Sequence, residues 1–439
     1  MISPLRTGLL GLCCTAMLGG CSSLDFFGDD EVILPGERIA VRQVNTDADA
    51  ISGNIAISLP AAVANADWPQ FNGNGARSLG HVALSGASQQ VWRASIGSGS
   101  GGRIVSPPIV SGGRVYAMDA ASTVSAHDAA TGARVWRADL TPETENAIDG
   151  FGGGLAAANG RIYASSGFGT LTALDAATGE VVWTGALRAP SRAAPSIANG
   201  RVFVVTRENR LFAFDAISGE AGWNRQGLEQ SAGILGGAAP AATSRIVVAP
   251  YSSGELAAYL TASGRPVWED DLTAIRGSGG IAALNDVAGD PVIADGVVYA
   301  ASQSGRLAAI SLQDGDRVWT RNIGGAQAPY AAGNALFFVG DNGDLYALDR
   351  ATGDTAWRVP LGAYEDPDDR NDPIIWAGPV AAGGRLLLTS STERLISVDP
   401  ATGQIVADTP LPGGSSVSPV VAGGTVYVLT DDATLVAFR

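Results

Sequence analysis

Short apolar segments, bounded by polar and glycine-containing turns, recur along most of this chain. Three of them, RVYAMDA (114–120), RIYASSG (161–167) and TVYVLTD (425–431), are rich in β-branched and aromatic residues. Asn-Gly, Asp-Gly or Gly-Gly pairs bound such segments, a pattern typical of antiparallel strands joined by tight turns. The sequence therefore predicts an all-β protein.

One phrase, Ala-x-Asp-x-x-Thr/Ser-Gly-x-x-x-Trp, recurs in seven near-copies, six of which end in tryptophan. The clearest copy contains Ala173, Asp175, Gly179 and Trp183. The copies are about 45 residues apart, whereas helical ankyrin and tetratricopeptide repeats are shorter. Each period holds four strand-like segments, which is the content of a β-propeller blade. We expect Asp175 to accept backbone N–H groups in the last turn and Gly179 to supply a positive φ.

The tryptophan positions predict eight blades of four antiparallel strands, because seven positions carry tryptophan and Ala407 stands at the eighth. The strand that contains Trp92 is not preceded by the three other strands of a blade. The last unit of the chain has three strands and lacks a fourth. We therefore expect the N-terminal strand to complete the C-terminal blade and to close the ring. The predicted structural docking residues between blades are Trp92, Trp136, Trp183, Trp223, Trp268, Trp319 and Trp357.

The N-terminus has the pattern of a lipoprotein signal. Arg6 precedes an apolar run, residues 9–18, that is too short to span a bilayer. Two glycines then stand directly before Cys21, which is the one cysteine left if residues 1–20 are removed. An ordinary secretory signal with an incidental cysteine is the alternative. The expected organisation is a signal peptide at 1–20, a lipidated tether at 21–66 and the propeller at 67–439.

Charge and composition exclude several classes of function. With 28 basic and 43 acidic residues, the chain is an unsuitable partner for nucleic acid or anionic headgroups. Only His81 and His127 are present, without a metal-binding or nucleophile motif, so the sequence predicts no catalytic residue, metal or cofactor. His127 stands where other copies carry Leu174 or Phe214, and we expect it to be packed. The acidic segment 365–372 leaves cation binding open beside a solvated loop.

The phrase resembles the pyrroloquinoline-quinone-type propeller repeat, which leaves two classes of protein open. Quinoprotein dehydrogenases share the eight-bladed fold, but they commonly carry an adjacent-cysteine disulfide, and the mature chain has no cysteine pair. The lipoprotein signal, the tether and the segment Asp67-Trp68-Pro69-Gln70 resemble the BamB family instead. That resemblance implies a non-enzymatic scaffold of the outer-membrane β-barrel assembly machine in a Gram-negative bacterium. It would be a monomer within a hetero-complex, anchored at the periplasmic face of the outer membrane through its acyl group.

The same resemblance implies the partner and its binding site. In the BamB family, a Leu-x-Leu-Arg loop and an Asp-rich loop bind the periplasmic POTRA domains of the BamA barrel, and other assembly lipoproteins are contacted indirectly. Residues 185–188 resemble the first loop and residues 286–288 the second, each with one motif residue replaced. Leu187, Arg188 and Asp286 are therefore the candidate partner-binding residues, with Leu187 expected to be an exposed apolar anchor. The alternative is that both are ordinary blade loops.

Overall fold

Eight four-stranded antiparallel sheets follow one another along the chain in the computed structural model. The structure describes residues 51–52, 55–99, 104, 106–191, 193–229, 237–273 and 286–439, so that the predicted signal and Cys21 lie outside the described residues. In the described ranges, the helical elements are two 3₁₀ turns, Phe71–Gly73 and Ala147–Asp149. None of the described helices has the length and apolar character needed to cross a membrane.

Each sheet is one blade, and in blades 1 to 7 the strands are ordered from the inside of the ring to its rim as they occur in the chain. Blades 1 to 4 consist of β2 Ile109–Ser111, β3 Arg114–Met118, β4 Thr123–Asp128 and β5 Arg134–Asp139; β6 Gly153–Ala158, β7 Arg161–Ser166, β8 Thr170–Asp175 and β9 Val181–Ala186; β10 Ser196–Ala198, β11 Arg201–Val205, β12 Arg210–Asp215 and β13 Ala221–Gln226; β14 Ala241–Ala242, β15 Ile246–Pro250, β16 Glu255–Leu260 and β17 Pro266–Asp271.

Blades 5 to 8 complete the ring, and a small hairpin stands between blades 6 and 7. Their strands are β18 Val292–Ala294, β19 Val297–Ser302, β20 Arg306–Ser311 and β21 Arg317–Arg321; β22 Tyr330–Ala332, β23 Ala335–Val339, β24 Asp344–Asp349 and β25 Thr355–Pro360; the hairpin β26 Tyr364–Asp366 and β27 Asn371–Pro373; β28 Trp376–Ala382, β29 Arg385–Ser390, β30 Arg394–Val398 and β31 Ile405–Pro410; β32 Val420–Ala422, β33 Thr425–Leu429 and β34 Thr434–Phe438, which pairs with β1 Gln90–Ser95.

The prediction of the fold is confirmed, including the way in which the ring closes. β1 pairs antiparallel with β34 and becomes the outermost strand of blade 8, with Trp92 opposite Ala437. The second and third strands of a blade are buried almost throughout, whereas the fourth strand alternates between exposed and buried residues. Because the fourth strand has solvent on one side, its sequence reads as an alternating pattern while the inner strands read as apolar runs.

The seven tryptophans lie between blades. The ring of Trp136 covers Gly179 in the last turn of blade 2, and its Nε1 donates to the carbonyl of Ala176 at 3.1 Å. A Cβ on Gly179 would lie 2.6 Å from the indole, and the residue has a φ of +77°. Both facts require glycine at this position. The same contact between a tryptophan and the glycine of the next blade occurs for Trp92, Trp136, Trp183, Trp223, Trp268, Trp319 and Trp357.

Ala407 interrupts the series for a topological reason. It lies on β31, the outermost strand of blade 7, and the next blade is the one completed by β1. In that blade the third and fourth strands, β34 and β1, are not joined by a turn, because they come from distant parts of the sequence. A tryptophan at position 407 would therefore have no glycine turn to cover.

Residues 65–83, here called the plug, cross one face of the ring and bond to the innermost strand or its turn in every blade. Carbonyl and amide groups of the plug pair with Val110, Ala157, Ile197, Ala242, Ile293, Tyr330, Ala381 and Gly423, which belong to blades 1 to 8 in that order. Seven of these bonds satisfy a backbone group of an innermost strand or its turn that would otherwise lack a partner, and in the eighth the hydroxyl of Tyr330 donates to the carbonyl of Gly80. Residues 55–64, from the predicted tether, also lie on this face; Ser58 receives a hydrogen bond from Asn334 at 3.5 Å.

Arg77 is a charged plug residue that is almost fully buried, at 1% exposure. Its guanidinium donates to Ser196 Oγ at 2.8 Å and to the carbonyl of Pro240, and it lies 3.3 Å from Asp290. Burial lowers the pKa of Arg77 and raises the pKa of Asp290, and the attraction between the two charges opposes both shifts. The plug therefore joins blades 3, 4 and 5 through one buried side chain.

Candidate partner-binding loops

The two predicted loops lie on the same face of the ring, opposite the plug. Arg188 follows β9 in the connection from blade 2 to blade 3, and Asp286 precedes β18 in the connection from blade 4 to blade 5. All connections from the outermost strand of one blade to the innermost strand of the next are on this side, because each blade has an even number of antiparallel strands. The turns between the second and third strands lie there too. We call this side the connection face.

Leu187 is buried, so the expectation that it is an exposed anchor is wrong. Its exposure is 1%, and it belongs to the apolar core that blade 2 shares with blade 3. Its backbone N–H donates to the carbonyl of Gly169 at 2.8 Å, which holds the start of the connection against blade 2. Gly185 replaces the first leucine of the motif, since a Cβ there would lie 2.7 Å from the ring of Phe214.

Arg188 points away from this core and is exposed. It has a positive φ of 64°, a conformation that turns the chain sharply and is uncommon for residues other than glycine. Ala189 is buried again on the other side of the turn, and Pro190 accepts a hydrogen bond from the backbone of Arg207 at 2.9 Å. The arginine is therefore displayed on a fixed backbone between two anchored residues.

Asp286 is placed differently, because it is 6% exposed and takes part in interactions within the chain. Its carbonyl accepts the N–H of Gln303 at 2.9 Å, and the next residue, Val287, is buried and donates to the carbonyl of Tyr251 at 3.3 Å. Residues 274–285, which precede it, lie outside the described residues. In the described part of the loop, Asp286 is buried and its backbone bonds the connection to blade 5. It does not offer an exposed carboxylate to a partner.

Blade 3 links the two loops. Asn209, in the turn between β11 and β12, accepts hydrogen bonds from the backbone and the hydroxyl of Ser252 in blade 4. It donates to the carbonyl of Leu228 at 2.6 Å, in the connection that follows β13. The same turn of blade 3 contains Arg207, which bonds to the loop of Arg188, and Ser252 follows Tyr251, which bonds to the loop of Asp286. The bond between Asn209 and Ser252 therefore links the two predicted loops.

The sequence reasoning missed Leu228, which is 63% exposed between the two predicted loops. Its N–H donates to a carboxylate oxygen of Glu255 at 2.8 Å, and this bond together with the one to Asn209 fixes its backbone. A polar cavity of about 280 Å³, lined by Glu208, Arg210, Gln226 and Glu229, lies beside it. An apolar residue between a glycine and a glutamate, just after an outermost strand, was the available signal in the sequence.

Two buried tyrosines and the possible metal ligands are the groups to be considered for chemistry near these loops. Burial raises the pKa of Tyr251 and of Tyr259, whose hydroxyls lie 3.4 Å apart, so both are neutral at physiological pH. In the described ranges, histidine, cysteine, aspartate and glutamate side chains form no group of three or more that would suit a metal ion. Segment 365–372 forms most of the β26–β27 hairpin.

Comparison with known proteins identifies the family. The model of the family described as "Outer membrane protein assembly factor BamB" matches residues 120–359 and 364–439. A protein of that name from Alkalilimnicola ehrlichii is 37% identical over 371 residues, which cover 83% of this chain and 92% of the relative. The chain belongs to the BamB family. A BamB from Yersinia pestis is 28% identical over 355 residues, or 80% of this chain and 88% of that protein.

Solved structures agree with this assignment at the level of the fold. The crystal structure of BamB from Moraxella catarrhalis matches with a TM-score of 0.67 at 23% identity, covering 80% of this chain and 99% of that one. A europium-containing methanol dehydrogenase matches with a TM-score of 0.66 at 15% identity, covering 83% and 89%. The fold of this chain is therefore similar both to that of a BamB and to that of a methanol dehydrogenase. The similarity of sequence places this chain with BamB.

Proposed function

We propose that this chain is a non-catalytic scaffold of an outer-membrane β-barrel assembly complex, located at the periplasmic face of the outer membrane. Membership of the BamB family supports the assembly role, since the relatives carry the name of assembly factors. The plug supports the non-enzymatic reading, because its backbone and Arg77 occupy the inner edges of the blades on one face. Its partner is the set of POTRA domains of a BamA-like barrel protein.

The observation that carries the proposal is the connection face between Arg188 and Asp286. It displays the exposed side chains of Arg188 and Leu228 on backbones that are fixed by hydrogen bonds to blades 3 and 4. Binding energy in protein interfaces is concentrated in such anchors, with arginine prominent among them. Leu187 and Asp286 support this surface from within, and Arg188 and Leu228 make the contacts.

Co-purification tests this function. The full chain with an affinity tag, expressed in its own outer membrane and solubilised in mild detergent, is expected to recover a BamA-like barrel protein. Arg188→Glu is expected to lower that recovery at least tenfold, because it reverses the charge of an exposed anchor. Arg245→Glu, an exposed arginine on the plug side of blade 4, is the control and keeps recovery within twofold. Failure of the wild-type chain to recover any barrel protein would overturn the proposal.

Anchoring through Cys21 is a separate part of the proposal. It rests on the sequence, in which small residues precede the cysteine and no other cysteine follows it. An acyl chain on Cys21, at the start of the tether, would hold the ring at the membrane surface. Cys21→Ala is expected to abolish labelling with a radioactive fatty acid and to release the protein from membranes. Unchanged labelling in this variant would refute the site.

A further inference from the structure

A second cavity on the connection face, here called the hairpin cavity, lies between blades 5, 6 and 7 and is unused by the proposed site. Its volume is about 210 Å³. One wall is apolar and comes from the hairpin and the start of blade 7, with Tyr364, Ile374 and Trp376. The other wall is polar and comes from the turns of blades 5 and 6, with Gln303 and Asp341. The cavity is therefore two-sided, with an apolar and an acceptor wall.

The acceptor wall contains an amide oxygen and a carboxylate. The Oε1 atom of Gln303 is shielded from solvent and has no hydrogen-bond partner. The side chain that carries this oxygen lines the cavity. Burial raises the pKa of Asp341, and backbone N–H groups of Asp341 and Asn342 oppose that shift. An unpaired amide oxygen and a partly desolvated carboxylate in one wall are satisfied best by a cationic donor.

The apolar wall is held rigid by its own bonds. Trp376 is 3% exposed, and its Nε1 donates to the carbonyl of Gly362 at 2.8 Å. Arg394 lies over the indole, 5.5 Å from the ring centroid. The N–H of Ile374 donates to the carbonyl of Ala363 at 2.9 Å and closes the base of the hairpin. A side chain that enters the cavity thus meets preformed apolar surface, and Ile375, 45% exposed, extends that surface at the rim.

The hairpin adds a strong negative field at the mouth of the cavity. Residues 365–372 carry five carboxylates and one arginine, and all are exposed. Asp366 accepts the backbone N–H groups of Asp368 and Asp369, so that the tip has a defined turn. In the described part of the chain, this hairpin is the two-stranded addition to the eight blades. Such a field attracts a positively charged segment and repels an acidic one.

We propose that the hairpin cavity binds an arginine side chain from an extended, basic segment of another protein. The guanidinium donates to Asp341 and Gln303, and its aliphatic stem packs against Ile374 and Tyr364, which is the combination that arginine supplies and a metal ion or an acidic peptide does not. Further basic residues of the segment face the hairpin. The proposal does not depend on the Arg188 surface, since neither Arg188 nor Leu228 lines the hairpin cavity; Gln303 is linked to that surface only through its backbone bond to Asp286.

Fluorescence polarisation with a labelled peptide, Gly-Val-Arg-Val-Gly, tests the proposal on the purified mature chain. The expected result is saturable binding that is at least tenfold weaker for the same peptide with citrulline, which keeps the shape of arginine and removes its charge. Asp341→Asn and Ala326→Trp, which fills the mouth from an exposed position, are each expected to weaken binding at least tenfold. Unchanged thermal midpoints show that these variants are folded.

Two matched triple variants separate the cavity from general attraction to an acidic protein. Asp366→Asn, Asp368→Asn and Asp369→Asn together are expected to weaken binding three- to tenfold and to reduce its dependence on salt. Glu143→Gln, Glu145→Gln and Asp149→Asn change the net charge equally on the same face at blades 1 and 2, and are expected to change binding less than twofold.

Equal effects of the two triples, equal binding of the citrulline peptide, or full binding by Asp341→Asn and Ala326→Trp would overturn the proposal. Arg188→Glu is expected to bind the peptide normally, which distinguishes this test from that of the scaffold function.

Discussion

Arg77 and Asp290 form a buried ion pair, with 3.3 Å between Nη1 of the arginine and Oδ2 of the aspartate. The arginine belongs to the plug, and the aspartate stands just before the innermost strand of blade 5. Asp290 also accepts the N–H of Ala239 at 2.6 Å, from the connection before blade 4. The pair therefore joins three parts of the chain that are distant in sequence, and its loss is expected to lower the stability of the whole ring.

Arg77→Met is expected to lower the free energy of unfolding by about 3 kcal/mol or more, because Asp290 is left buried without its partner. Adding Asp290→Asn should recover part of this loss, since the unpaired charge is then removed. Arg317→Met breaks an exposed pair with Asp270 and is the matched control, with an expected cost of at most about 1 kcal/mol. Urea unfolding measures all three. Similar losses for Arg77→Met and Arg317→Met would show that the buried pair does not hold the plug.

The repeated part of this structure was predictable from the sequence, and the unrepeated part was not. Trp136 and Gly179 recur with fixed spacing, so that their contact follows from one copy and applies to the others. The plug has no repeat: nothing in the order Gln70, Gly75, Ala76 and Val82 tells that each residue meets a different blade. Such contacts depend on the closed ring, which exists only when all eight blades are folded.

The candidate site shows the same division. Its loops were located correctly between outermost and innermost strands, because the repeat fixes where each blade ends. The orientation of their side chains was not predictable, as Leu187 shows by pointing into the core of blades 2 and 3. An apolar residue in a short connection is exposed or buried according to one or two backbone torsions. Here the bond from Leu187 to the carbonyl of Gly169 keeps the leucine against blade 2, and the positive φ of Arg188 turns the chain only after it; neither feature has a signature in the sequence.

Gly219 provides a test of the contact between blades. A Cβ at this residue would lie 2.5 Å from the indole of Trp183, and its φ is +74°. Gly219→Ala is expected to lower the free energy of unfolding by about 2–4 kcal/mol, combining the torsional cost of about 1–2 kcal/mol with overpacking.

Gly200, in another turn of the same blade, is the control for this substitution. It has a similar φ of +68° and no atom within 4 Å of a built Cβ. Gly200→Ala should therefore show the torsional cost of about 1–2 kcal/mol alone. Thermal unfolding of both variants isolates the contact with Trp183 as their difference. If the two variants lose equal stability, the tryptophan contact contributes nothing to the ring.

Leu187 and Leu228 are expected to separate stability from binding. Leu187→Ala removes a fully buried side chain and should cost about 2–5 kcal/mol of unfolding free energy. Leu228→Ala removes an exposed side chain and should stay within about 0.5 kcal/mol of wild type. Recovery of the barrel partner is expected to fall severalfold in Leu228→Ala, although the variant is folded. The exposed anchor would have to be sought elsewhere if Leu228→Ala recovers the partner as well as wild type does.

His127 predicts a dependence of stability on pH. The residue is 1% exposed, and its Nδ1 lies 3.0 Å from the carbonyl of Gly132. Burial lowers the pKa of the imidazole, the hydrogen bond to Gly132 opposes that shift, and the charge of Arg134 adds to it. The unfolded chain therefore binds this proton more readily than the folded one. The stability contributed by the neutral ring is complete above the unfolded-state pKa of about 6.5 and is lost as the pH falls below it.

His127→Leu is expected to reduce the loss of stability between pH 7.5 and pH 5.5. Leucine fits the site, since Leu174 and Phe214 stand at this position in blades 2 and 3. For one proton, the difference between the two proteins can change by at most about 1.4 kcal/mol per pH unit. Urea unfolding at several pH values gives this difference, and the titration of Asp341 and other carboxyls cancels because both proteins share it. Parallel pH profiles for wild type and His127→Leu would show that the buried imidazole is protonated as readily in the folded ring as in the unfolded chain.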